Sequence, residues 1–275
     1  MIVQRKNKER EVDMNQKQIE KEWQKMIKAE SAYLNRNVQR ETAFWQDRIA
    51  KYVPDKFENT LKEGFFKAFQ LIFDKGTGVI EKTYDKEKKE QDYKIREYAA
   101  KLKNNGKSVK AFQKSAAKSR VVNGMISTAE GVGMGVFGLG IPDIPLFLGI
   151  LLKSIYEIAL SYGFSYDSEK EQVFILRLIE TALLEKEELM AGNLKLNRII
   201  DGTEKLPMDR EKQMRRTADV LADEMLYLKF VQGIPVVGIL GGVSDMVYQK
   251  KLTEYAQLKY KRRFYRKALP ARSIN

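Results

Sequence analysis

The chain has no cysteine and no histidine, only six prolines and two tryptophans, and no uncharged run of the length a spanning helix needs, about 20 residues. Without cysteine there is no disulfide framework, no thiolate metal site and no thiol nucleophile. Without histidine the Ser-His-Asp triad, the His-x-x-x-His zinc sites and the usual neutral-pH general base are gone as well. The first eighteen residues, MIVQRKNKEREVDMNQKQ, lack an apolar core and a small-residue cleavage site, so a cytoplasmic start is expected. No motif calls for a cofactor or a metal.

What is present in excess is charge. Of 275 residues 32% are charged, and the net charge is +13. The excess is concentrated in two places. Lys101–Arg120 holds seven basic residues and no acid, and Gln249–Asn275 holds nine basic residues and one acid. Such blocks favour an acidic partner: anionic lipid, nucleic acid or an acidic protein surface.

Against that polar background stands one apolar stretch, Val121–Phe164, with four charges in 44 residues. Glycines at 131, 133, 135, 138 and 140 let backbone approach backbone, and Pro142 and Pro145 bracket Asp143. The pattern predicts two apolar helices joined by a Gly/Pro elbow. Both a helical hairpin buried in a core and a shallow re-entrant hairpin fit it. Asp143 is placed to cap the helix from Ile144 to Tyr162, with Pro145 in the first turn. Gly133–Gly138 satisfies G-x-G-x-x-G, but no strand precedes it and no ribose-binding acid follows, so it is not read as a nucleotide site.

The remaining periodicity is helical throughout, and the fold class expected is all-α: a multi-helix bundle around two apolar Gly-Ile-Pro hairpins, with a long N-terminal amphipathic helix. Ile19, Trp23, Met26 and Ile27, then Val38, Trp45 and Ile49, mark that first helix over about 15–52, with a bend near Asn37. Phe57, Leu61, Phe65, Phe69 and Phe73 form an aromatic stripe after Pro54. Val79–Leu102 reads as an exposed, charge-paired helix, and 109–120 as a short basic one. Ser168-Glu169-Lys170-Glu171 is a capping box opening a helix through Leu184. Residues 192–207 read as a connection, and a further helix starts at Asp209. Gly233-Ile234-Pro235 repeats Gly140-Ile141-Pro142 at an offset of 93 residues. By domain, residues 1–14 are expected to be a disordered polar terminus, 15–267 one domain with the basic 80–120 segment inserted or exposed, and 268–275 a flexible tail.

The last helix interleaves Tyr248, Tyr255, Tyr260, Phe264 and Tyr265 with lysines and arginines. Rings beside long cationic stems suit a lipid headgroup layer, and also suit nucleic acid, the second reading, where rings stack and cations neutralise phosphate. A solvated terminal helix with one aromatic face on the core has the same composition. As anionic-surface ligands the candidates are Lys261, Arg262, Arg263, Phe264, Tyr265 and Arg266, followed by Lys107, Lys110, Lys114 and Lys118. Gly140, Pro142, Asp143, Pro145, Gly233 and Pro235 are candidate structural elbows. No catalytic residue stands out, which leaves an enzyme using Asp, Glu or Lys in the core as a further alternative.

GIPDIPLFLGILLKSIYEIALSYGF, the SEKEQVFILRLIETAL helix and KFVQGIPVVGILGGVSDMVYQKKL together resemble the bacterial EcsC family, named for a protein encoded beside an ABC transporter. The resemblance runs from roughly Glu22 to Arg266. It implies no activity and no catalytic residues. Its link to a transporter is one of genomic neighbourhood, and the expectation drawn from the basic, aromatic-bearing surface is a non-enzymatic cytoplasmic protein, peripheral on the inner membrane, that supports or regulates a membrane partner such as a transporter.

Overall fold

The computed structural model describes residues 2–38, 55–74, 86–87, 89–91, 93–94, 144–231 and 243–268. Among the described residues seven long helices follow one another: α1 (Ile2–Val38), α2 (Asp55–Asp74), α3 (Ile144–Ser161), α4 (Glu169–Leu183), α5 (Lys186–Asp201), α6 (Arg210–Val231) and α7 (Val243–Ala268). The fold is all-α, with no strand among the described residues.

α1 runs from Ile2, further back than its apolar spacing marks. No glycine or proline interrupts residues 1–38, so helix propensity meets no breaker there. Among its described side chains Glu22, Trp23, Met26, Glu30, Tyr33 and Leu34 are buried.

The phenylalanine stripe of α2 is core: Phe65, Phe66, Phe69 and Phe73 are buried, and α2 packs on α3 and α6. α3 has Pro145 in its first turn and is buried over most of its length. It ends at Gly163, whose φ of +79° is the left-handed conformation an L side chain resists. Phe164 N–H donates to the Ala159 carbonyl and Gly163 N–H to that of Leu160, so two orphan carbonyls of the helix end are satisfied. Glycine is required there twice over, because an added Cβ would lie 2.2 Å from Tyr93 Cζ. The residues of 86–94 that are described are helical and lie on α3 rather than apart from it. Lys89 pairs with Glu157 at 3.0 Å, and Lys86 with Asp167 at 2.9 Å in the turn that follows α3.

α4 opens as its capping box predicts, with Ser168 Oγ accepting from Glu171 N–H at 3.2 Å. The segment expected to be a connection is instead largely helical: α5 runs from Lys186 to Asp201. Gly192 misleads, because it lies mid-helix, where a Cβ would meet Thr181 Cγ2 at 3.0 Å and Leu184 Cδ1 at 3.2 Å. Its smallness serves close packing of α5 on α4, not a break. α5 ends at Gly202, with φ +81°.

α7 is the hub. Although it is the most basic helix by sequence, it packs on α1, α3, α4 and α5, and Leu252, Tyr255, Ala256, Lys259 and Tyr260 are fully buried along it. The two helices that follow the Gly-Ile-Pro elbows, α3 and α7, therefore lie together, joined also by Gln249 Nε2 donating to Ser154 Oγ at 3.2 Å. The elbow residues Gly140, Pro142, Asp143, Gly233 and Pro235 lie outside the described residues.

Candidate functional site

Three elements converge on one polar cluster in this largely apolar interior. α7 contributes Tyr255, Lys259 and Arg262, spaced so that they share a face. α5 contributes Asn193 and Asn197, one turn apart, and Asp201 one turn further. α1 contributes Trp23 and Glu30. Lys259 has a relative exposure of 0% and Glu30 of 5%.

The ammonium of Lys259 donates to Asn193 Oδ1 at 2.5 Å, to Asn197 Oδ1 at 2.7 Å and to Glu30 Oε1. Three donors meet three acceptors, so its capacity is filled. Burial pulls its pKa down from 10.5 to about 8, the Glu30 carboxylate acting in the opposite direction. The second Glu30 oxygen accepts from Arg262 Nη1 and from Asn197 Nδ2, each at 3.3 Å. Arg262 also grips Asp201 in two parallel bonds, Nε to Oδ1 at 3.0 Å and Nη2 to Oδ2 at 2.5 Å, and its guanidinium lies 5.0 Å from the Trp23 ring centroid. Tyr255 O–H completes the set, donating to Asn193 Oδ1 at 3.0 Å.

A second buried pairing joins α7 to α4. Arg263 donates to both oxygens of Glu171, at 2.5 and 2.8 Å, and Tyr260 O–H donates to Glu171 Oε1 at 2.7 Å. The guanidinium is enclosed by Phe164, Phe174 and Tyr260, with centroids at 4.1, 4.3 and 5.2 Å. The carboxylate of the capping box thus reaches the hub helix.

The C-terminal candidates are accordingly drawn inward. Arg262 and Arg263 have acids as partners, Tyr265 is buried against Trp23 and Met26, and Phe264 packs on the same group. Arg266 donates to the Asp201 carbonyl at 3.2 Å. Lys261 is half-buried, which lowers its pKa, and lies 5.8 Å from the Tyr265 centroid. Pro145 occupies the first turn of α3. Lys107, Lys110, Lys114 and Lys118 lie outside the described residues.

Glu30, Asn193, Asn197 and Asp201 were not singled out by sequence. One signal was available: Asn193 and Asn197 stand four residues apart beside Leu189 and Leu196, amides on an otherwise apolar face. As chemistry, the cluster binds a carboxylate between two cations and an amide, and the carboxylate it holds is the chain's own.

No solved structure matches this chain. It is 27% identical over 220 residues to Protein EcsC of Bacillus subtilis (strain 168), covering 77% of this chain and 80% of that one. To the uncharacterized protein YdbA of the same organism it is 31% identical over 137 residues, 48% of this chain and 49% of that one. The family model for the EcsC protein family matches residues 14–264, and the chain is a member of that family.

Proposed function

We propose that this protein is a non-enzymatic helical adaptor that attaches peripherally to an anionic membrane surface, on the cytoplasmic face of the inner membrane, and supports a membrane partner such as an ABC transporter. One observation carries the reading. The cations of Lys259, Arg262 and Arg263 are matched inside the fold by Glu30, Asp201 and Glu171. The C-terminal block thereby loses much of its outward charge, which leaves Lys101–Arg120, seven basic residues with no acid along the sequence, as the candidate block for attachment. Each cation near an anionic bilayer adds about 1 kcal/mol, so Lys107, Lys110, Lys114 and Lys118 acting together suffice for reversible attachment. Among the described residues no helix is long and apolar enough to cross a membrane.

The test is co-sedimentation of the full chain with neutral and with anionic vesicles at low and moderate salt. Binding to anionic vesicles alone, reversed by salt and lost when Lys107, Lys110, Lys114 and Lys118 become Gln, is expected. Absence of binding at low salt would overturn the reading. So would retention by the fourfold variant, or displacement from vesicles by equimolar DNA, which would move the patch to nucleic acid.

A further inference from the structure

α4 packs on α5 along one side and on α6 along another, while α5 and α6 make no comparable contact with each other, so α4 floors a furrow between them. Register tells which side chains line it. Thr181 and Leu184 face Gly192 of α5. On α6, Thr217 Oγ1 donates to the Leu176 carbonyl at 3.1 Å and Gln213 Nε2 to Glu180 Oε2 at 2.5 Å. Arg177 lies between these two faces, about 40° round the helix from Thr181 and about 60° from Glu180. The two α6 bonds step four residues forward along α4 and four back along α6, so the helices are antiparallel and Arg177 stands level with Arg216. Arg216 in turn lies one turn after Gln213 and one turn before Val220, on the furrow side of α6.

Neither guanidinium has an acceptor. Arg177 is 8% exposed and Arg216 is exposed, and among the described residues no carboxylate, hydroxyl or carbonyl bonds to either side chain. Acids stand nearby without pairing. Glu180, one turn on from Arg177, is turned to Gln213, and Asp219 is one turn on from Arg216. The neighbouring cations do find partners: Arg215 meets Glu211 at 3.5 Å, Glu63 at 3.7 Å and the Phe66 ring at 3.8 Å, and Lys195 of α5 meets Glu204 at 3.6 Å. A buried cation left unmatched costs stability, and Lys259 and Arg262 show that this fold supplies carboxylates to others. Two unmatched guanidinia at one level, one on the floor and one at the rim, form a donor set for an oxyanion. Each fork fits two oxygens, and two positive charges suit the dianion of a phosphate better than a single carboxylate.

We propose that the furrow between α5 and α6 binds a phosphate group, with Arg177 holding it from the floor and Arg216 from the rim. This inference is independent of vesicle attachment through Lys101–Arg120 and survives its failure.

The test is thermal unfolding of the full chain against inorganic phosphate, with sodium chloride at matched ionic strength as the control. A ligand that binds only the folded state raises Tm with its concentration. A rise with phosphate that chloride does not give is expected, and Arg177→Met or Arg216→Gln should weaken the apparent affinity about tenfold or more. Without phosphate, Arg216→Gln should unfold as the unaltered chain does. Arg177→Met should unfold no earlier, because it removes an unmatched buried cation. Two further arms find the source of the phosphate: glycerol phosphate in solution, and neutral vesicles doped with phosphatidic acid. Binding of the soluble ester alone gives the site to a small molecule, and vesicle binding that falls in both variants gives it to a headgroup; either result carries the site. Equal shifts in phosphate and chloride, no shift or binding in any arm, or unchanged affinity in both variants would overturn the proposal. So would a large loss of stability in Arg177→Met without phosphate, which would make the guanidinium part of the packing.

Discussion

Glu30 and Lys259, 229 residues apart in sequence, form a buried ion pair that ties α1 to α7. Removing one partner leaves the other charge buried, whereas replacing both with apolar side chains does not. Glu30→Ala is therefore expected to cost about 3–5 kcal/mol in urea unfolding, since Lys259 and Arg262 both lose a partner. Glu30→Met with Lys259→Met should recover most of that loss, with Arg262 still held by Asp201. Additive losses in the double variant would refute the pairing.

The same lysine predicts how stability changes with pH. Its pKa is about 8 in the fold against 10.5 for an unperturbed lysine, so between those values the unfolded chain binds more protons and stability rises with pH, by up to about 1.4 kcal/mol per pH unit. This contribution is fully present above 10.5 and is lost as pH falls through 8. Tyr162, Tyr255 and Tyr260 act oppositely: burial raises each phenol above 10, so their contribution is lost as pH rises beyond that. Denaturation midpoints should therefore climb from pH 8 and turn down above pH 10. Lys259→Met should flatten the climb and keep the downturn.

Gly163 and Gly202 share a left-handed φ, +79° and +81°, but not surroundings. A Cβ at 202 has nothing within 4 Å, while one at 163 meets the Tyr93 ring. Gly202→Ala should cost about 1–2 kcal/mol, the conformational term alone. Gly163→Ala should cost clearly more, and Tyr93→Ala in that background should bring the extra cost of the alanine down to the Gly202→Ala level. Equal losses for the two single variants would show that the ring moves aside freely.

Helical periodicity made α2, α3, α4 and α6 legible, because apolar spacing and caps such as Ser168 and Gly163 are local signals. What was not local was lost. Gly192 reads as a breaker when only its neighbours along the chain are considered, and becomes a packing contact once Thr181 is across from it. The basic run of α7 reads as a surface, because its acids, Glu30, Glu171 and Asp201, lie 61 to 232 residues away. A charge block counted along the chain cannot show which of its members are matched through space. The aromatic residues between those cations were the better guide: Tyr255, Tyr260 and Tyr265 line the buried side of the helix.

Arg263 offers the sharpest separation of geometry from charge. Its fork meets both oxygens of Glu171, and its plane lies against Phe164 and Phe174. Lysine at this position keeps the charge but gives up the second parallel bond and the flat stacking surface. Arg263→Lys is expected to destabilise by about 1–3 kcal/mol, the range of a charge-assisted hydrogen bond, with no change in net charge and so none in the salt dependence of vesicle binding. Glu171→Gln should lose a comparable amount, and the two together should lose less than their sum, because each removes the same pair. A full additive loss would mean that Arg263 is held by its aromatic cage alone, and Phe174→Leu would then reproduce the effect.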